Sequence, residues 1–210
     1  MVTGSTSGGS AGSAKNRIID MLKADHKKVK KAFKDFEKLD SQEDAEGCEA
    51  LVQQTCAELE VHAELEEQVF YPAAREAMKE DDLIEEAEVE HMTAKVLIQQ
   101  LKQMSLDDEK FAATFKVLGE YINHHVKEEE SEMFPALTRR DVDWDGVLEQ
   151  MRTLRAQLLE DRGLPSEEEE SESEKASSPR SSSSRRSGAT AAEDRPQASQ
   201  SPRSSAEKKK

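Results

Sequence analysis

The sequence predicts an all-α fold, an up-down-up-down antiparallel four-helix bundle with a short additional C-terminal helix and disordered tails. Three observations lead there. Apolar residues recur at spacings of three and four through successive segments, the period of one helix face. Glycine and proline are scarce before residue 163, which suits helices better than short strands joined by turns. The connections between the amphipathic segments are short, as neighbouring antiparallel helices require.

The first helix carries Ile18, Leu22, His26, Val29, Phe33 and Phe36 on one face. Ser41 followed by Asp44 reads as an N-cap opening the second, whose inner stripe is Leu51, Thr55, Leu59, His62, Glu66 and Val69. The third carries Ile84, Ala87, His91, Ala94, Ile98 and Leu101. Ser105 with Asp108 is placed to cap the fourth, with Phe111, Phe115, Leu118, Ile122, His125, Glu129 and Met133 on its stripe. A shorter fifth helix follows Trp144 through Val147, Met151, Leu154 and Leu158. Pro72 and Pro135 deny a backbone donor and are expected to kink or end their helices.

The chain of 210 residues has room for one domain and a long tail. Residues 1–14 form a Gly/Ser leader, 15–161 the domain, and 162–210 a tail rich in Ser, Glu, Arg and Lys with almost nothing to bury. Ser178-Pro179 and Ser201-Pro202 offer modification sites in a tail otherwise read as solubilising. The leader has neither the basic start nor the apolar run of a secretory signal, and no stretch is long enough to cross a bilayer. The chain therefore reads as soluble and cytoplasmic. From Gly163 onward nine acidic and nine basic side chains cancel, so the net charge of -15 belongs to residues 1–162. A surface that acidic repels nucleic acid and anionic lipid and attracts cations. Cys48 and Cys56 share one helix, roughly 12 Å apart at about 1.5 Å per residue, beyond disulfide reach. They read as small buried hydrophobes.

Against this apolar patterning stands one anomaly. Four of the five histidines, and two glutamates, lie within the stripes, spread over four helices. A buried polar group costs free energy unless paired, and a buried carboxylate costs far more. No arginine on the same stripes supplies a counter-charge, so the six groups call for a common cationic partner.

Their spacing repeats. His62 and Glu66 stand at i and i+4, which puts both on one helix face, and His125 and Glu129 do the same. His62-x3-Glu66-x5-Pro72 aligns with His125-x3-Glu129-x5-Pro135, with aromatics before each proline, and Asp25-His26-x3-Lys30 aligns with Glu90-His91-x3-Lys95. The chain is thus a tandem of two helix pairs, each giving one His and one His-x3-Glu. Four imidazoles and two carboxylates suit two borderline transition-metal ions, with two His on each and the carboxylates between them. Magnesium or calcium would take more oxygen ligands.

The stretches ADHKKVKKAF, HAELEEQVFYP, EVEHMTAK and HHVKEEESEMFP resemble the hemerythrin-like cation-binding domains, named for their H…HxxxE pattern, over roughly residues 16–137. The resemblance implies two non-heme irons, bridged by Glu66 and Glu129, with His26 and His62 on one and His91 and His125 on the other. Oxygen carriers of that family have a further histidine one turn after the third-helix one, where this chain has Lys95. They also place an Asp five residues after the fourth-helix histidine, where this chain has Glu129 at four. A missing imidazole leaves a coordination position open, which favours redox reaction over reversible oxygen carriage.

Several side chains keep two readings at this point. His124-x3-Glu128 is a rival register to His125-x3-Glu129, disfavoured by the proline alignment and the Ile122/Met133 stripe. Lys30 and Lys95 either extend their stems to water or steady the site carboxylates. Tyr121 is a rim residue or a donor to a metal-bound ligand. Glu64, Glu67, Glu128, Glu130 and Glu132 form a solvated acidic face or guide ferrous ions inward. The leading expectation is a di-iron protein that binds or reacts with oxygen, peroxide or nitric oxide, for sensing, detoxification or iron handling. Its rivals are a peroxidase or catalase-like enzyme and a metal-braced helical interaction module.

Overall fold

The structure, a computed structural model, describes residues 11–39, 43–79, 81–138, 141–166 and Glu169. The first ten residues, Ser41 and the Ser-Pro pairs of the tail lie outside them. The described residues are helical, with no strand among them. The chain order is α1 (Ala11–Phe36), α2 (Ala45–Leu65), a π-helical turn (Glu66–Phe70), α3 (Tyr71–Ala77), α4 (Asp82–Leu101), α5 (Phe111–Glu128), a second π-helical turn (Glu129–Met133), α6 (Phe134–Ala136) and α7 (Trp144–Arg162). None of these helices is long and apolar enough to cross a membrane.

Helices α1 and α2 pack together, as do α4 and α5; α1 also meets α5, and α2 meets α4. The expected stripes face inward with a few adjustments: Val52 is buried where the stripe names Leu51, Leu148 is buried beside the partly buried Val147, and Phe33, Phe36, Val69 and Leu154 are only partly buried. The core divides into two apolar blocks. One gathers Ile18, Leu22, Leu65, Phe70, Ile84 and Met133, and the other Val29, Leu59, Ile98, Phe115, Leu118 and Val126. His26, His91 and Glu129 fall in sequence between a residue of one block and a residue of the other, whereas Glu66 is flanked by Leu65 and Phe70 of the first block and His125 by Ile122 and Val126 of the second. Cys48 and Cys56 are buried and unbridged, and burial pushes the Cys56 thiol up to about 12, so it stays a neutral thiol.

Four boundary expectations change. Helix α1 starts at Ala11, inside the span assigned to the leader, because Ala14 is already buried against the core. Asp44 is the residue that caps α2, accepting from Gly47 N at 2.9 Å. The Ser105–Asp108 pair does form, with Ser105 N donating to Asp108 Oδ2 at 2.7 Å, but it closes a turn, and α5 begins only at Phe111. Helix α7 is not short: it runs 19 residues, capped by Asp143 and ended by Gly163 at φ 63, a left-handed position that suits glycine. It lies on α1 and α2 and buries Trp144, Leu148, Met151 and Leu158.

The two prolines differ: α6 ends at Ala136, one residue after Pro135, as expected, whereas α3 runs on from Pro72 to Ala77. Each follows a π-helical turn, in which Tyr71 N donates to Glu66 O and Phe134 N to Glu129 O, one residue further than an α-helical bond. Proline lacks the N–H and crowds the carbonyl four residues back, so the widened turn lets the chain continue beyond it. Both π turns start at a buried glutamate of the doubled pattern.

Candidate metal centre

The structure brings all six singled-out residues into one buried layer, each no more than 6% exposed: His26 from α1, His62 from α2, His91 from α4, His125 from α5, and Glu66 and Glu129 from the π turns. Glu66 Oε2 lies 3.2 Å from His62 Nε2 and 3.3 Å from His91 Nε2. Glu129 Oε2 lies 3.1 Å from His26 Nε2 and 3.5 Å from His125 Nε2. Each carboxylate therefore reaches one imidazole of each helix pair. Donor atoms lie within 4.8 Å of one another in two groups, His26 with His62, Glu66 and Glu129, and His91 with His125 and Glu66.

Hydrogen bonds account for only part of this closeness: His91 Nε2 lies 3.1 Å from His125 Nε2, and the Tyr71 hydroxyl lies 3.4 Å from His91 Nε2 and donates to Glu129 Oε1 at 3.1 Å. His26 Nε2, His62 Nε2, Glu66 Oε1 and Glu129 Oε2 make no hydrogen bond although all are buried. Native interiors seldom leave such atoms unpaired. Atoms that crowd one point without bonding each other fit a cation standing between them, and the donor set, imidazole nitrogen with carboxylate oxygen, suits a transition metal. On this ground the residues fit a metal cation.

The outer nitrogens explain why the Nε2 atoms face inward. Every one of the four Nδ1 atoms meets a carboxylate: His26 with Glu130 at 2.9 Å, His62 with Asp25 at 3.2 Å, His91 with Glu67 at 3.1 Å, and His125 with Glu90 at 2.9 Å. Such a contact holds a neutral ring in the tautomer with its proton on Nδ1 and frees Nε2 as a lone-pair donor. The pairing follows the tandem repeat. The acid just before each single histidine serves the other histidine of its own half, and the acid just after each buried glutamate serves the single histidine of the opposite half. Cations stand behind this ring: Lys95 binds Glu67 at 2.6 Å, Arg155 grips Asp25 through two bonds of 2.7 Å, and Lys30 sits 3.7 Å from Glu130.

Two carboxyl groups so close and so buried do not both ionise. Burial and the neighbouring Glu129 push Glu66 well up, whereas Glu129, in spite of its own burial, is held down by His125 and His26 beside it. Burial lowers the His125 imidazole, but Glu129 and Glu90 more than offset that and raise it overall. A cavity of about 20 Å³ opens on one side of the layer, between the four histidines and the apolar Val29, Leu59, Ala94, Ile98 and Ile122. It exceeds the roughly 10–15 Å³ that one small molecule such as water needs.

Two residues escaped the sequence reading. Tyr71 points its hydroxyl into the layer, 3.1 Å from Glu129 Oε1 and 3.4 Å from His91 Nε2. Burial and the adjoining glutamates push that hydroxyl well up, so it remains a donor. Its counterpart in the repeat is Phe134, which stacks on His26 and has no such group; that Tyr/Phe difference was the available signal. Arg155 comes from α7 and had no local signal at all. Of the residues left with two readings, His124 is exposed at the rim beside Glu128 and Glu90, and Tyr121 is exposed as well. Lys95 and Lys30 serve the outer carboxylates Glu67 and Glu130 and not the buried pair Glu66 and Glu129. Glu67 and Glu130 orient histidines, whereas Glu64 is engaged by Arg162.

A "DNA nickase" of Nostoc sp. (strain PCC 7120 / SAG 25.82 / UTEX 2576) is 32% identical over 120 residues, 57% of this chain and 33% of that protein, so the chain spans about a third of the relative's length. No solved structure matches the chain significantly. The model of the Hemerythrin HHE cation binding domain matches residues 17–137, the span that holds all six buried donors, and the chain belongs to that family.

Proposed function

We propose that this chain is a non-heme di-iron protein that binds or reacts with oxygen, peroxide or nitric oxide in the cytoplasm, for sensing, detoxification or iron handling. In this reading residues 15–161 form the functional domain, its four main helices run up-down-up-down and antiparallel, His26 and His62 hold one iron, His91 and His125 the other, and Glu66 and Glu129 bridge. The observation that carries it is the convergence of four Nε2 atoms on two buried carboxylates while each Nδ1 is held by an outer acid. Bound iron would supply a centre able to exchange electrons with a small oxygen or nitrogen species.

The chain's own groups then act around that centre. Asp25, Glu67, Glu90 and Glu130 fix ring orientation and make the imidazoles better donors. Tyr71 offers its proton as a hydrogen bond to Glu129, which orients one bridging carboxylate. The apolar wall of the cavity keeps bulk water away and accommodates a diatomic ligand. With Lys95 committed to Glu67, no fifth imidazole fills the position that oxygen carriers use. The DNA-nicking activity named for the relative is not part of this reading, because the acidic excess of residues 1–162 repels phosphate.

Elemental analysis with an optical spectrum of freshly purified chain tests the proposal. Two irons per chain is the expected result; one zinc and no capacity for iron would overturn it. Peroxide turnover by the iron-loaded chain then separates a ligand binder from a peroxidase or catalase-like enzyme.

A further inference from the structure

Helix α7 lies wholly outside the residues that match the family, 17–137, yet it is tied to the centre of the molecule. Arg155 Nη1 and Nη2 donate to Asp25 Oδ2 and Oδ1, both at 2.7 Å, across 130 residues of sequence, and both side chains are about 15% exposed. Asp25 Oδ2 is the atom that meets His62 Nδ1 at 3.2 Å, so three groups form one line from α7 to a buried imidazole. A two-bond arginine–carboxylate pair fixes direction as well as distance. One turn and three residues further along α7, Arg162 engages Glu64 and lies 3.9 Å from Glu60, the two acids that flank His62 on α2. The other three outer carboxylates have no such tie to α7 among the described residues: Glu67 is held by Lys95 of α4, Glu130 lies 3.7 Å from Lys30 of α1, and Glu90 lies 3.6 Å from the exposed His124.

We propose that Arg155 is a positioning residue of the metal centre, acting through Asp25 on His62, so that the docking of α7 and metal binding at the His26/His62 position reinforce each other. This rests on the di-metal reading above. If α7 moves away, Asp25 loses the partner that holds its carboxylate, the ring of His62 loses its fixed direction, and one of the two metal positions weakens. By linkage, metal held at that position favours the docked helix to the same extent. The pairing makes α7 a reporter of metal occupancy, since the His91/His125 position has no contact of this kind with it.

Cobalt(II), a spectroscopic stand-in for ferrous iron, titrated into the metal-free full chain provides the test, together with amide hydrogen exchange along α7. The unaltered chain is expected to bind two ions and to slow exchange in α7 on binding. Arg155→Gln should weaken one binding step about tenfold or more, as loss of an orienting partner typically does, and leave the other within about twofold. It should also remove the effect of metal on α7 exchange, while Arg155→Lys recovers part of both. Equal weakening of both steps, or none, would mean that Arg155 acts only on overall stability and overturns the proposal. So does exchange in α7 of the unaltered chain that ignores cobalt, a result that decides the matter even where Arg155→Gln does not fold. Failure of the unaltered chain to bind cobalt at all would instead remove the di-metal reading and this proposal with it.

Discussion

Replacing Glu66 by methionine should change stability in opposite directions with and without metal. Glu66 is 0% exposed, its Oε1 makes no hydrogen bond, and its Oε2 is only 3.5 Å from Tyr71 Oη. A buried acceptor left unsatisfied costs about 1–3 kcal/mol, and exchanging a buried ionic group for an apolar one of similar volume is often neutral or stabilising. Methionine is close in volume and adapts to irregular space. In metal-free protein Glu66→Met is therefore expected to be neutral or to stabilise by up to about 3 kcal/mol, at roughly 2–4 °C of melting midpoint per kcal/mol for a domain this size. With metal the order reverses. A ligand at a hundredfold its Kd stabilises by about 2.7 kcal/mol per site, so two sites raise the original chain by about 5 kcal/mol, a gain that the variant forfeits in large part. Thermal melts of both proteins, chelated and iron-loaded, would show crossing midpoints. A metal-free variant less stable by more than about 1 kcal/mol would mean that the six groups satisfy each other and no cation is needed.

Three further outcomes follow from the same geometry. His125→Ala should lose metal while His124→Ala keeps it, since His125 is 3% exposed within the layer and His124 stands at the rim; elemental analysis giving the reverse would shift the register to His124-x3-Glu128. Glu67 is held down to about 2 from 4.5, chiefly by the hydrogen bond with His91 and with Lys95 helping against its partial burial. Because its folded value lies below its unfolded one, its stabilisation is present above about pH 4.5 and disappears as pH falls through about 2, so Glu67→Gln should differ from the original chain at pH 6 and converge with it in strong acid. Urea midpoints across that range check this, and a constant difference would contradict it. Gly119→Ala should cost about 1–3 kcal/mol by thermal melt, because the new Cβ would meet Phe33 Cδ1 at 2.9 Å and that ring is backed by Phe115 at 4.9 Å.

The inward faces were legible because a bundle helix repeats every three or four residues, and a histidine at the stripe position is buried whatever it binds. The doubled His-x3-Glu was legible for the same reason, being local to one helix. What remained hidden depends on other things. Pro72 and Pro135 announced a break, but whether a helix stops or widens into a π turn is decided by the packing beyond it, where Phe70, Tyr71 and Ala74 are buried on one side and Met133 and Phe134 on the other. The cap at Ser105 was chemically right and positionally wrong, since the same bond closes a free turn as readily as a helix end. Tyr71 was visible as one of a pair of aromatics before proline; its hydroxyl mattered only once the turn aimed it inward. Arg155 is 130 residues from its partner, a distance at which periodicity carries nothing.

The acidity of the site helices takes on a different meaning in three dimensions. Neighbouring residues on a helix point about 100° apart, so an acid next to an inward ligand faces the adjoining helix and not open solvent. Asp25 and Glu90 precede a buried histidine, and Glu67 and Glu130 follow a buried glutamate; all four meet an imidazole on another helix. The composition that looked like a solvated face is in part the means of orienting the donors. Together with Glu66 and Glu129, these acids bring six carboxyl groups to the layer, against Lys30, Lys95 and Arg155 as cations. Two divalent ions would reverse that imbalance, so the same charges that make the empty layer costly give it selectivity for cations over a neutral guest.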